Sequence, residues 1–139
     1  MRDAFRRTRA DHATEVAEDY VEAIADLIRR QGRCRTSDLA THFSVTAATV
    51  NNTVARLVRD GFAETEPYRP IELTAKGRRL AKRCESRHQT VLEFLIALGV
   101  SPEVAKTDSE GIEHHVSPET LAAMRRYVER LGCGSTGDD

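Results

Sequence analysis

Thr36-Ser37-Asp38-Leu39-Ala40-Thr41-His42-Phe43, then Ser44-Val45, then Thr46 ahead of Ala47-Ala48-Thr49-Val50-Asn51-Asn52-Thr53-Val54-Ala55-Arg56-Leu57-Val58-Arg59-Asp60 and Gly61, is the stretch that decides the fold. The first segment reads as a short helix and Ser44-Val45 as a turn. Thr46 is an N-cap for a second helix that Gly61 closes. Beyond it, Phe62-Ala63-Glu64-Thr65-Glu66 and Ile71-Glu72-Leu73 alternate apolar with polar around Pro67-Tyr68-Arg69-Pro70. That pattern predicts a short hairpin with a basic, aromatic tip. Helix, turn, helix and hairpin in this order make a winged helix-turn-helix.

The flanks extend this into a mainly α chain. Upstream, Val16, Ala17, Tyr20, Val21, Ile24, Leu27 and Ile28 recur at helical spacing, which predicts an amphipathic helix over residues 14–30 stopped by Gly32. Downstream, Thr74 caps a long helix to residue 98, with Leu80, Ala81, Cys84, His88, Val91, Leu92, Leu95 and Ile96 along one seam and Gly99 at its end. Ser101-Pro102-Glu103 and Ser117-Pro118-Glu119 each combine a cap, a proline at the first helical position and a first-turn acid. They open helices over residues 102–116 and 118–131, the last ended by Gly132. The chain thus divides into a charged N-terminal extension (1–13), a winged helix-turn-helix (14–74), a helical domain (75–132) and a flexible tail (133–139).

With 139 residues the chain can bury one ordinary core, and 31% charged against 5% aromatic residues argues for helices over a large β core. No apolar run approaches about 18 residues and the N-terminus has no signal-peptide stretch, so no membrane partner and a cytoplasmic location are expected. Cys34, Cys84 and Cys133 are odd in number and lack C-x-x-C spacing, which speaks against disulfides and a thiolate zinc site. The net charge of −1 conceals a division: residues 29–83 carry +7, residues 1–28 carry −3 and residues 88–139 carry −5. A basic middle between acidic ends points to a polyanion-binding module joined to something that handles cations.

In the helix over residues 47–60, Val50, Val54, Leu57 and Val58 form the inward stripe. Ala48, Asn52, Ala55 and Arg59 face outward, flanked by Thr49, Asn51 and Arg56. Small residues allow close backbone approach, Ala suits a thymine methyl, and an Asn amide can pair with adenine through two hydrogen bonds. Asn52 is the first candidate for base readout and Asn51 the second. Thr36, Ser37, Thr49, Arg56, Tyr68 and Arg69 are the expected phosphate contacts.

Glu110, Glu113 and His114 stand at i, i+3 and i+4, which on a helix gathers two carboxylates and an imidazole onto one face, as a metal-holding helix does. Val104, Ala105, Asp108, Ile112 and Val116 make the opposite, apolar side, and His115 rotates back toward it as a packed or capped residue. Asp19 and Glu22 also lie one turn apart on the first helix. By periodicity alone that pair reads as a solvated acidic face.

Asp19-Tyr20-Val21-Glu22, the winged helix-turn-helix, Arg87-His88 before a long apolar run, and Asp108-Ser109-Glu110-Gly111-Ile112-Glu113-His114-His115 together resemble the diphtheria-toxin-repressor family, and within it the manganese transport regulators. The resemblance spans residues 14–131. It implies a homodimeric, metal-activated repressor whose helical region, residues 75–132, is a metal-binding and dimerisation domain. The implied ligands are Asp19, Glu22, His88, Glu110, Glu113 and His114. The iron-responsive branch has a thioether at the position of Asp19 and a thiolate at that of Glu110; here both are carboxylates. An oxygen-and-imidazole set is harder and suits Mn²⁺, with Fe²⁺, Co²⁺ or Zn²⁺ as possible substitutes.

Four carboxylates in one small volume call for more than one divalent ion, so two per chain are expected, with Glu110 and Glu113 the best bridges. A mononuclear site is the alternative. Metal ligation would favour a dimer whose recognition helices are spaced for successive major grooves of a pseudo-palindromic operator. Two other classes stay open. One is a winged-helix regulator answering to Fe²⁺ or to an organic ligand. The other is a di-metal enzyme, against which stands the lack of H-E-x-x-H and of a nucleophile-plus-base pattern.

Overall fold

A computed structural model describes the backbone of residues 2–134 and the side chains of residues 12–132. The described residues divide into two compact units, with the boundary between Arg83 and Cys84. The element order is α1 (Arg2–Gln31), α2 (Thr36–Phe43), α3 (Ala47–Arg59), β1 (Ala63–Glu64), β2 (Glu72–Leu73), α4 (Ala75–Ala97), α5 (Pro102–Ile112), a 3₁₀ turn (Glu113–His115) and α6 (Pro118–Gly134). Among the described residues no helix is long and apolar enough to cross a membrane.

The first unit is the expected winged helix-turn-helix. Its core holds Val21 and Ile24 of α1, Leu39 of α2, and Val50 and Leu57 of α3, all fully buried. Each such side chain contributes about 1.5–3 kcal/mol when removed from water. Tyr20 stacks on Phe43 with ring centroids 4.4 Å apart, joining α1 to the end of α2. Ser44, at φ 55°, stops α2 in the left-handed region. The Thr46 hydroxyl accepts the Thr49 N–H at 3.2 Å and starts α3.

One detail answers what the sequence left open, and two depart from its reading. The residue 1–13 extension continues the first helix, since α1 begins at Arg2. The hairpin is shorter than its alternation, with two residues per strand in the pairs Ala63↔Leu73 and Glu64↔Glu72. Pro67 and Pro70 have no N–H for a ladder, and a Glu–Glu pair directly opposed is repulsive, so pairing cannot propagate. Val58, assigned to the inward stripe, is 39% exposed and extends the outer surface of α3.

Thr74 ties the wing to the helices on either side. Its N–H donates to the Phe62 carbonyl at 3.0 Å and its hydroxyl donates to the Gly61 carbonyl at 2.6 Å. The same hydroxyl accepts the Gly77 N–H at 3.1 Å as the cap of α4. Cys34 lies fully buried beneath the wing, where its backbone carbonyl accepts the Ile71 N–H at 2.8 Å. Burial, with the Asp38 carboxylate adding to it, pushes the Cys34 thiol up to about 12.

The second unit is helical. Val91 of α4 and Ala105 of α5 are fully buried, Phe94 meets Tyr127 edge to face at 5.6 Å, and the Arg125 guanidinium donates to the Thr90 hydroxyl at 3.3 Å. Ser101 and Ser117 cap α5 and α6 as their Ser-Pro-Glu starts predict. Gly132 does not stop α6, which runs on to Gly134; the expected loose tail from residue 135 lies outside the described residues. Ile96, Leu98, Val104, Ile112, Tyr127 and Leu131 are 37–54% exposed, a surplus of apolar surface for so small a body.

Candidate metal centre and nucleic-acid interface

On α3 the outward face forms as expected. Ala48, Thr49, Asn51, Asn52, Ala55, Arg56 and Arg59 are all exposed. Arg56 and Arg59 occupy the last turn, and α3 contains no acid. A helix with small residues, two amides and cations on its open side can approach a polyanion without like-charge repulsion. Thr49 is less available than the sequence implies, because its hydroxyl lies 3.0 Å from that of Thr46. Ser37 is exposed and Thr36 half-buried at the start of α2. Tyr68 is wholly exposed at the wing tip, and Arg69 beside it pairs with Glu66 at 3.3 Å.

The metal-ligand candidates fall in both units. In the first, Asp19 and Glu22 are half-buried rather than solvated, and they belong to a longer stripe. Glu15, Glu18, Asp19 and Glu22 stand at i, i+3, i+4 and i+7 of α1, with Glu18 buried and the other three half-buried. Like charges at this spacing repel, and taking them partly out of water raises the cost. Glu15 and Glu18 went unread in the sequence, although the spacing was there to be seen.

In the second unit α5 ends at Ile112, not at residue 116, and tightens into the 3₁₀ turn. Gly111 weakens the last α-turn, and Ser117 ahead of Pro118 disfavours helix continuation. The buried line of α5 is Ala105 and Ser109, continued by Glu113 one turn later. The exposed Val104 and Ile112 correct the expectation that they form the packed side. Glu113 is therefore a buried carboxylate, 2% exposed.

Two imidazoles flank Glu113. His88 Nδ1 lies 3.9 Å from its Oε2 and His114 Nε2 lies 3.6 Å from its Oε1. One carboxylate between two imidazoles, each on its own oxygen and none in tight contact, is a donor group in which a hard-to-borderline divalent cation is chemically at home. Ser109 adds support from below: its hydroxyl donates to the Lys106 carbonyl at 2.9 Å and lies 3.5 Å from His88 Nδ1. Glu110 lies on the exposed side of the last turn of α5. His115 is exposed as well, not packed against the apolar side.

Comparison with known proteins identifies both regions of the chain at the level of domains. Residues 12–71 match the family model "Iron dependent repressor, N-terminal DNA binding domain", and residues 74–138 match "Iron dependent repressor, metal binding and dimerisation domain". The transcriptional regulator MntR of Escherichia coli O6:H1 is 46% identical over 130 residues, 94% of this chain and 84% of that protein. The HTH-type transcriptional regulator MntR of Bacillus subtilis strain 168 is 40% identical over 116 residues, 84% of this chain and 82% of that protein. A solved manganese-dependent transcriptional repressor in complex with manganese is 27% identical with a TM-score of 0.74, over 81% of this chain. This chain spans about half the length of that structure, 52%.

Proposed function

This chain belongs to the iron-dependent repressor family, a family of DNA-binding regulators and not of enzymes, and from that premise we propose that it is a Mn²⁺-responsive repressor of metal-homeostasis genes such as those for manganese uptake. The observation that carries the reading is the buried Glu113 carboxylate between the His88 and His114 imidazoles. A buried acid among basic ring nitrogens is costly to maintain for structure alone.

The residues that would hold the ion are Asp19, Glu22, His88, Glu110, Glu113 and His114. A bound divalent cation would supply the positive charge that these carboxylates lack. The N/O set suits Mn²⁺, and Fe²⁺, Co²⁺ or Zn²⁺ could substitute. Four carboxylates favour two ions per chain, with Glu110 and Glu113 bridging.

Asp19 and Glu22 belong to the DNA-binding portion of the chain and the other four to the helical portion. Their shared ligation would therefore favour one arrangement of a homodimer, in which the two α3 helices are spaced by about 34–36 Å for successive major grooves. Such a dimer reads a pseudo-palindromic operator. The exposed apolar side chains of α4, α5 and α6 supply the surface on which copies would pair. Asn52 and Asn51 read bases with Ala48, while Thr36, Ser37, Thr49, Arg56, Tyr68 and Arg69 meet the backbone.

The test is duplex binding by the purified protein at fixed salt with Mn²⁺, Fe²⁺, Zn²⁺ or chelator. Binding that tightens with Mn²⁺ is expected, and equal binding in chelator refutes the reading. A calorimetric titration that stops at one Mn²⁺ per chain removes the binuclear site.

An organic effector is the second reading, and one observation favours it. An open cleft of about 490 Å³ in the first unit is walled by Ala25, Ile28, Ile71 and Leu73, with Arg33 and Arg78 among its lining. Indifference to Mn²⁺ in the same assay would transfer attention there.

A further inference from the structure

We propose that the cleft in the first unit is a binding site for a monoanionic aliphatic ligand, a carboxylate carried on a short hydrocarbon chain, taken up independently of any metal. The cleft has a volume of about 490 Å³, inside the range of about 300–1,000 Å³ that small-molecule sites occupy. Its lining runs from Ala25 to Arg78, so the site is complete within the first unit. It lies where the end of α1, the base of the wing and the first turn of α4 meet.

The floor is apolar and the rim is cationic. Ala25 and Ile28 of α1 are half-buried, while Ile71 and Leu73 on the wing side are buried. Arg78 is fixed in place, because its Nη1 donates to the Leu73 carbonyl at 2.8 Å. Arg33 follows Gly32, which at φ 86° turns the chain off α1. Elsewhere in this unit Arg29, Arg30, Arg59 and Arg69 each have an acidic partner at 2.8–3.7 Å. Neither arginine of the cleft has one among the described residues, although the Glu72 side chain lines the same cleft.

This combination selects an amphipathic anion. A hydrocarbon body gains from leaving water over the floor, and a carboxylate gains charge-assisted hydrogen bonds from a guanidinium, about twice as strong as neutral ones. Glu72, with its cross-strand neighbour Glu64, opposes a second negative charge, so the ligand is a monoanion. The walls are in place before it arrives: the Ile71 N–H donates to the Cys34 carbonyl at 2.8 Å, and Arg78 is already seated on Leu73. Binding to a preformed site costs little ordering. An occupant that touches α1, β2 and α4 together stabilises the folded unit.

The test uses the full chain in chelator and without DNA, so its outcome is separate from that of the regulator reading. Butanoate, hexanoate and octanoate are titrated calorimetrically, with octanol as the uncharged arm. Binding should saturate at one ligand per chain, tighten by about threefold to fourfold per added methylene, and raise the melting temperature as ligand concentration rises. Octanol should bind about tenfold more weakly than octanoate. Arg33→Gln and Arg78→Gln should each weaken octanoate about tenfold and leave octanol unchanged. Arg78 also holds the Leu73 carbonyl, so Arg33→Gln is the variant that decides if Arg78→Gln fails to fold. Equal binding of octanol and octanoate refutes the proposal, as does the absence of saturable heat with octanoate. An affinity independent of chain length marks an adventitious anion only, and full octanoate affinity in Arg33→Gln places the ligand on another surface; either result overturns the site.

Discussion

Replacing Gly77 with alanine should cripple the first unit, by an amount that can be worked from its surroundings. A Cβ at this position would stand 2.0 Å from the Phe62 carbonyl oxygen, 3.0 Å from the Phe62 carbonyl carbon and 3.2 Å from Leu73 Cδ2. The nearest obstacle is backbone, so no rotamer change relieves it. Restoring contact distance requires the first turn of α4 to withdraw by roughly 1 Å. That movement breaks the Thr74 N–H bond to the Phe62 carbonyl and the Thr74 hydroxyl bond to the Gly61 carbonyl, about 1 kcal/mol each. Residual overpacking adds about 1–3 kcal/mol, and the better helix propensity of alanine returns about 1 kcal/mol. The net is a destabilisation of about 2–4 kcal/mol, on the order of 10–30 °C in melting temperature for a unit of this size. Calorimetry on chelator-treated protein measures it, with Gly111→Ala as the matched control. Gly111 has nothing within 4 Å of the added atom, so there alanine should stabilise by up to about 1 kcal/mol. A Gly77→Ala protein melting within about 2 °C of the parent would refute the close approach and the arithmetic built on it.

Glu22→Ala and His88→Ala should each abolish the Mn²⁺ dependence of duplex binding while leaving the circular dichroism of the chelated protein unchanged; a full Mn²⁺ response in either variant removes that residue from the centre. Asn52→Ala should relax base preference at one position by about 1–3 kcal/mol of discrimination with its salt slope intact, read by competition among duplex variants. Retained preference would move base readout to Asn51 or Ala48. Cys34, fully buried with its thiol pushed up to about 12, should resist iodoacetamide at pH 8 until the chain unfolds. Because the unfolded thiol ionises from about pH 8.5–9 and the folded one does not, the Cys34 contribution to stability is constant below that pH and is lost as pH rises toward 12. Rapid alkylation of the native protein would contradict its burial.

The order of elements in the first unit was legible because caps, glycines and apolar spacing all pointed one way from Thr36 to Thr74. Misreadings fell where one of these signals had two physical causes. Val58, Val104 and Ile112 are apolar and lie in helical phase with apolar neighbours, yet they face outward. Periodicity reports that a stripe is greasy, not whether its own core or another copy covers it. Glu113 is buried through phase with two small residues, Ala105 and Ser109, which an apolar-inward count passes over. The turn from α-helix to 3₁₀ after Ile112 changes the angular step per residue, so the face drawn for Glu110, Glu113 and His114 on a continuous helix does not carry over intact. Asp19 and Glu22 came from resemblance alone. Their half-burial beside Glu15 and Glu18 is a property of the folded unit that spacing cannot express.

The single hydroxyl of Thr74 binds the end of the recognition helix through Gly61 and the start of α4 through Gly77, while the backbone of the same residue holds the wing at Phe62. Three moving parts share one rivet. The amide and helix face that would sort bases and the tyrosine that would feel along the duplex are thus geared together, and a torque applied at α4 must turn them as a block.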